Sequence, residues 1–143
     1  HTTLNAALSS QVVEELMTNL RTHLQTDGVE LDQRKYTTGT ECTGPVVAIC
    51  INVSRLGTDV QEVLKHIKKD QHDIAVLVLH HKEAHALPNQ NSDRILTSSE
   101  YKKLGAIIDV AFLSNKGMYP CEMNSLAMRR LVSFLLQYKT DLS

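Results

Sequence analysis

Pro45-Val46-Val47-Ala48-Ile49-Cys50-Ile51-Asn52-Val53 is apolar without alternation and rich in β-branched residues. A strand with one wet face alternates apolar and polar side chains. An unbroken run predicts a strand covered on both faces, as in parallel sheets. Ile74-Ala75-Val76-Leu77-Val78-Leu79, running into His80 and His81, is a second such stretch, and Ile107-Ile108-Asp109-Val110-Ala111-Phe112-Leu113 a third. A helix is expected between the first two, because Val60, Val63, Leu64 and Ile67 make one apolar stripe. Thr58 and Gln61 form a capping box at its start. Asp59 and Glu62 suit the positive end of its dipole, and Lys65, Lys68 and Lys69 the negative end.

Between the second and third strands, residues 82–96 read as a loop, broken by Pro88, Asn89, Asn91, Ser92 and Asp93. Thr97-Ser98-Ser99-Glu100 is another capping box and opens a short helix through Leu104 to Gly105. Towards the N-terminus, Leu4, Leu8, Val12, Leu16, Leu20 and Leu24 recur every four residues, with Val13 and Met17 beside them. That spacing predicts a first helix, stopped by Asp27 and Gly28 and capped by Thr3 or Asn5, or by Ser9 or Ser10 if shorter. Residues 29–44 are polar; Tyr36, Thr37 and Thr38 have the propensity for a short edge strand. Towards the C-terminus, Ser114-Asn115-Lys116-Gly117 turns the chain. Pro120 suits the first turn of a last helix carrying Met123, Leu126, Ala127, Leu131, Phe134, Leu135 and Tyr138.

Strands alternating with amphipathic helices predict an α/β fold: a small three-layer, mostly parallel sheet, flavodoxin-like or Rossmann-like, with helices on both faces. The 143 residues suit one domain, residues 1–143. A start at His1, with no charged leader before an apolar run, reads as a fragment of a larger protein. Apolar residues are 42% and charged residues 22%, which is ordinary for a globular chain. A net charge of -1 argues against a strongly basic nucleic-acid binder, and 4% aromatics against a base-stacking platform. The apolar runs fall short of the roughly 20 residues a membrane helix needs, so no membrane association is expected. Cys42, Cys50 and Cys121 are odd in number and form no C-x-x-C pair, which fits a reducing cytoplasmic or nuclear setting.

Open parallel sheets bind ligands beyond the carboxyl ends of their strands. Ser54, Arg55, His80, His81, Asn115 and Lys116 fall there and are the ligand-edge candidates. His80-His81-Lys82-Glu83-Ala84-His85 is the densest ionisable cluster. Imidazole and carboxylate together suit a general base or a metal ion, but the pattern is not H-E-x-x-H and lacks a second ligand group. No G-x-S-x-G elbow accompanies a nucleophile, and neither G-x-G-x-x-G nor G-x-x-x-x-G-K-[ST] opens a helix. No cofactor and no metal are therefore expected, and no catalytic residue is assigned. The expected role is a non-catalytic protein–protein interaction module, an adaptor or scaffold, with a protein partner or a second copy of itself. Its contact surface is placed on the last helix at Arg129, Phe134, Leu136 and Tyr138, since Arg and aromatics dominate interfaces. The same apolar residues also suit the core. The alternatives are a hydrolase working through residues 80–85 and a small-ligand or nucleotide sensor at the sheet edge.

Overall fold

In a computed structural model, the described residues are 7–31, 44–52, 55–65, 67, 71–88, 91–97, 99–113 and 116–138. The three apolar runs form strands β1 (Val46–Ile51), β2 (Ile74–His81) and β3 (Ala106–Leu113), and Gly117–Met118 adds a short β4. The order is β1-β2-β3-β4; β2 lies parallel to both β1 and β3, and β4 is antiparallel to β3. Register sets Val46 against Ile74 and Val78 against Asp109. The fold is thus α/β, with a four-stranded, mostly parallel sheet.

Neighbouring strand residues point to opposite faces, and the core divides accordingly. One cluster joins Val47, Ile49, Leu77, Leu79, Val110 and Phe112 to α1 (Ala7–Thr26) and α5 (Glu122–Leu136). The other joins Val46, Ala48, Cys50, Val76, Val78 and Ile107 to α2 (Leu56–Leu64), Leu96 and Tyr101. α1 buries Val13, Leu16, Met17, Leu20 and Leu24, the periodic stripe of the sequence. It stops as expected: Gly28, at φ +73°, allows Val29 N–H to reach the Leu24 carbonyl and Gly28 N–H the Gln25 carbonyl. Ser9 and Ser10 lie inside the helix, not at its start; Thr3 and Asn5 lie outside the described residues.

Four local expectations are corrected. α2 begins at Leu56, and its cap residue is Arg55, without a side-chain cap bond. Leu56 packs on the second cluster, so burying it extends the helix back past the Thr58 box. Residues 82–96 contain two single turns, one at Ala84–Ala86 and α3 at Ser92–Ile95. The helix expected to reach Gly105 is one turn, α4 (Ser99–Lys102). A Cβ on Gly105 would press on the His72 carbonyl and on the Phe134 ring, so the chain passes too close to the core there for a side chain. Pro120 precedes α5, whose cap residue is Cys121. The edge-strand reading at Tyr36–Thr38, Cys42, and the ends of the chain lie outside the described residues.

Candidate functional site

His80 and His81 are neighbours on β2, so their rings leave opposite faces of the sheet and cannot converge on one ion. His80 is 2% exposed. Its Nε2–H donates to Asp109 Oδ1 at 2.7 Å. Ser92 donates its backbone N–H to Asp109 Oδ2 at 2.9 Å and its hydroxyl to Oδ1. Three donors thus converge on one buried carboxylate. Burial pushes the Asp109 carboxyl up, but the hydrogen bonds from His80 and Ser92 outweigh it and hold the group below its ordinary value. The arrangement leaves His80 Nδ1 buried without a hydrogen-bond partner.

This constellation has the residue types of a hydrolytic triad but not its wiring. In such a triad the carboxylate and the nucleophile hold opposite nitrogens of the imidazole. Here the serine hydroxyl bonds the carboxylate itself. Glu83 approaches His85, 3.6 Å away and exposed, and not the buried His80. His81 is exposed and stacks on Phe112, with ring centres 4.8 Å apart. The 80–85 cluster is therefore dispersed. Among the described residues, no group of three or more His, Cys, Asp or Glu is placed to hold a metal ion. Arg55 and Lys116 are exposed at the strand ends, and Ser54 and Asn115 lie outside the described residues.

A second region forms where β4 hands the chain to α5. Met118 N–H donates to Glu15 Oε2 at 2.7 Å, which ties β4 to α1. Gly117 is favoured by its φ of +66°, a conformation that L side chains rarely adopt, and a Cβ there would also press on the Glu15 carboxylate. Asn124 then does the work of a missing strand. Its Oδ1 accepts Ala111 N–H at 2.8 Å, and its Nδ2 donates to the Ala111 carbonyl at 2.8 Å. One carboxamide so completes the β3 edge beyond the two residues that β4 covers. Nδ2 also donates to the Tyr119 carbonyl at 2.7 Å, fixing the entry to α5. Tyr119 in turn donates its hydroxyl to the Lys82 carbonyl at 2.6 Å. Burial, then the charges of Cys121 and Glu83, push that phenol up.

These ties shape a groove of about 470 Å³ between α1 and α5. Asn19 and His23 line it from α1, Met118 from β4, and Tyr119, Pro120 and Cys121 from the connection. Asn124, Ser125, Met128 and Arg129 line it from α5. No carboxylate is among the described lining residues. His23 donates its Nδ1–H to the Asn19 carbonyl at 2.8 Å. The Cys121 thiol is half-buried and makes no cap bond.

Of the four contact residues expected on the last helix, Arg129 is exposed in this groove. Phe134 is corrected: at 3% exposure it belongs to the core, since it continues the buried row of Ala127, Met128 and Leu131. Tyr138 packs beside Phe134, with ring centres 5.4 Å apart, and donates its hydroxyl to Asp73 Oδ1 at 2.5 Å. Burial and Asp73 push it up to about 12. Leu136 is half-buried. The four are therefore not one surface. The large apolar residues exposed among the described ones are Ile95, which sequence reasoning did not single out, and Leu126, which was expected on the apolar stripe of the last helix. Between their helices, Arg130 meets Asp93 at 3.4 Å. Among the described residues no helix is long and apolar enough to cross a membrane. No protein-family model, curated protein or solved structure matches this chain.

Proposed function

We propose that this domain is a non-catalytic protein–protein interaction module, an adaptor or scaffold part of a larger cytoplasmic or nuclear protein. Its architecture is read as a small three-layer fold of flavodoxin-like or Rossmann-like kind. The observation that carries the functional reading is a contrast between two polar regions. The imidazole, carboxylate and hydroxyl that chemistry would need are buried and bonded to one another, with His80, Ser92 and Asp109 each no more than 5% exposed. The groove between α1 and α5, by contrast, opens to solvent and presents Arg129, a residue type that anchors interfaces. Arg129 makes no ion pair among the described residues.

Binding and catalysis separate in one set of measurements. Sedimentation velocity across a wide concentration range reports self-association. Capture from extract with the purified chain and with Arg129→Glu, followed by identification of each retained protein, reports a partner. The expected result is a defined partner, or a second copy, held by the native chain and lost from the variant at unchanged melting temperature. Turnover of an ester, phosphoester or peptide substrate that disappears in His80→Asn would overturn the reading in favour of a hydrolase.

A further inference from the structure

Resting on that reading, we infer that the groove between α1 and α5 receives an acidic, partly apolar peptide segment of a protein partner. The argument is charge complementarity over an apolar floor. Met118 and Met128 line the groove, and methionine adapts its shape to varied side chains. Arg129 lines it as well, exposed and with no ion pair among the described residues, and its planar fork matches a carboxylate. Asn19 and Ser125 add hydrogen-bonding groups on the two facing helices. The carboxylate of Glu15 lies on the β4 side but already accepts Met118 N–H, and none of the described lining residues is acidic. His23 uses its Nδ1–H on the Asn19 carbonyl, and Arg129 supplies the groove's positive charge. A nucleic-acid strand is the poorer fit, since phosphate recognition needs several cations in a row and Arg129 is the one arginine or lysine among the described lining residues.

The test uses the full chain labelled with ¹³C in its methionine methyl groups. Met118 and Met128 line the groove, whereas Met17 is in the core and Met123 faces the other side of α5. A short peptide alternating glutamate and leucine is titrated in, then its glutamine–leucine counterpart. The expected result is movement of the Met118 and Met128 signals alone. Affinity should be about tenfold weaker for the glutamine peptide or for Arg129→Gln, and should fall as salt rises. Equal affinity for the two peptides, movement of Met17 or Met123 instead, or no movement at millimolar peptide would each overturn the inference. If a partner is still captured while the methionine signals stay fixed, the interaction reading stands and this site falls. If no partner is captured and the chain does not self-associate, yet the two signals move, the site stands and the wider reading falls.

Discussion

Replacing Asp109 with Asn changes one oxygen to an amide nitrogen and so tests whether the buried carboxylate organises its surroundings. All three of its neighbours donate: His80 Nε2–H, the Ser92 hydroxyl and Ser92 N–H. If the new Oδ1 keeps His80 and the hydroxyl, the amide nitrogen faces Ser92 N–H, donor against donor. If the amide turns over, Ser92 N–H is satisfied and the hydroxyl can rotate to accept. His80 must then accept at Nε2 and carry its proton on Nδ1, which has no partner. Either orientation strands one buried N–H. An unsatisfied buried donor costs about 1–3 kcal/mol, and the charge-assisted character of the remaining bonds is lost as well. The expected destabilisation is about 2–4 kcal/mol, a large share of a typical 5–15 kcal/mol.

The same site sets a pH dependence whose sign follows from the lowered carboxyl. A group that holds its proton less tightly when folded stabilises the fold above its unfolded value, about 3.9 for Asp. That contribution fades as pH falls from there through the lower folded value. The gap between the native chain and Asp109→Asn should therefore be full at pH 7 and shrink below about pH 4. Urea unfolding followed by circular dichroism at stepped pH measures it, with the slope checked for constancy. A gap below about 0.5 kcal/mol at neutral pH, the scatter of ordinary surface substitutions, would refute the reasoning. So would a gap that does not change with acidification.

Two further outcomes follow from the same geometry. Asn124→Ala leaves the Ala111 N–H and carbonyl without their partner in a fully buried residue. It should cost about 2–4 kcal/mol in urea unfolding and speed hydrogen exchange at Ala111; an unchanged exchange rate would remove Asn124 from its role as strand surrogate. In a Cys42→Ser background, a disulfide reagent at mildly alkaline pH should label Cys121 and spare Cys50 until the chain unfolds. Cys50 is buried and its thiol is pushed up to about 12 by burial and by Asp59, which suppresses the reactive thiolate. Labelling of Cys50 in the native chain at the rate of Cys121 would contradict that.

The strands were legible in the sequence because continuous β-branched apolarity survives any choice of strand order. The end of α1 was legible because Gly28 has few other uses after a helical stripe. The polar constellation was not. Asp109 stands out as the one acid within an apolar run, but its partners lie 29 and 17 residues away. Hydrogen bonds between distant side chains leave no periodic trace. Ser92 sits in a segment whose composition reads as a loop, and Asn124 looks like any polar residue on an amphipathic helix. The Thr58 box failed for a different reason: burying Leu56 outweighed a side-chain cap of about 1 kcal/mol. Phe134 was half-legible, since an aromatic on a helix stripe serves a core and an interface equally well until the facing surface is known.

How the domain protects its sheet edge narrows where the proposed partner could dock. An uncovered strand edge pairs with any other chain, and folded proteins blunt such edges. β4 covers Phe112 and Leu113, the Asn124 carboxamide takes Ala111, and below it α3 bonds through Ser92 to Asp109. The Arg130–Asp93 pair joins α3 to α5 alongside that edge. A partner strand adding to β3 would have to displace a strand, a buried carboxamide and an ion pair together, and backbone bonding alone returns no more than they already supply. The proposed partner, docking on this side of the molecule, would therefore meet side chains on helices and β4, where Arg129 is exposed in the groove and Met118 partly so. Strand addition at β3 and binding in the groove also separate experimentally. The first requires Asn124 to release Ala111 and would be strengthened by Asn124→Ala, whereas the second gains nothing from that substitution.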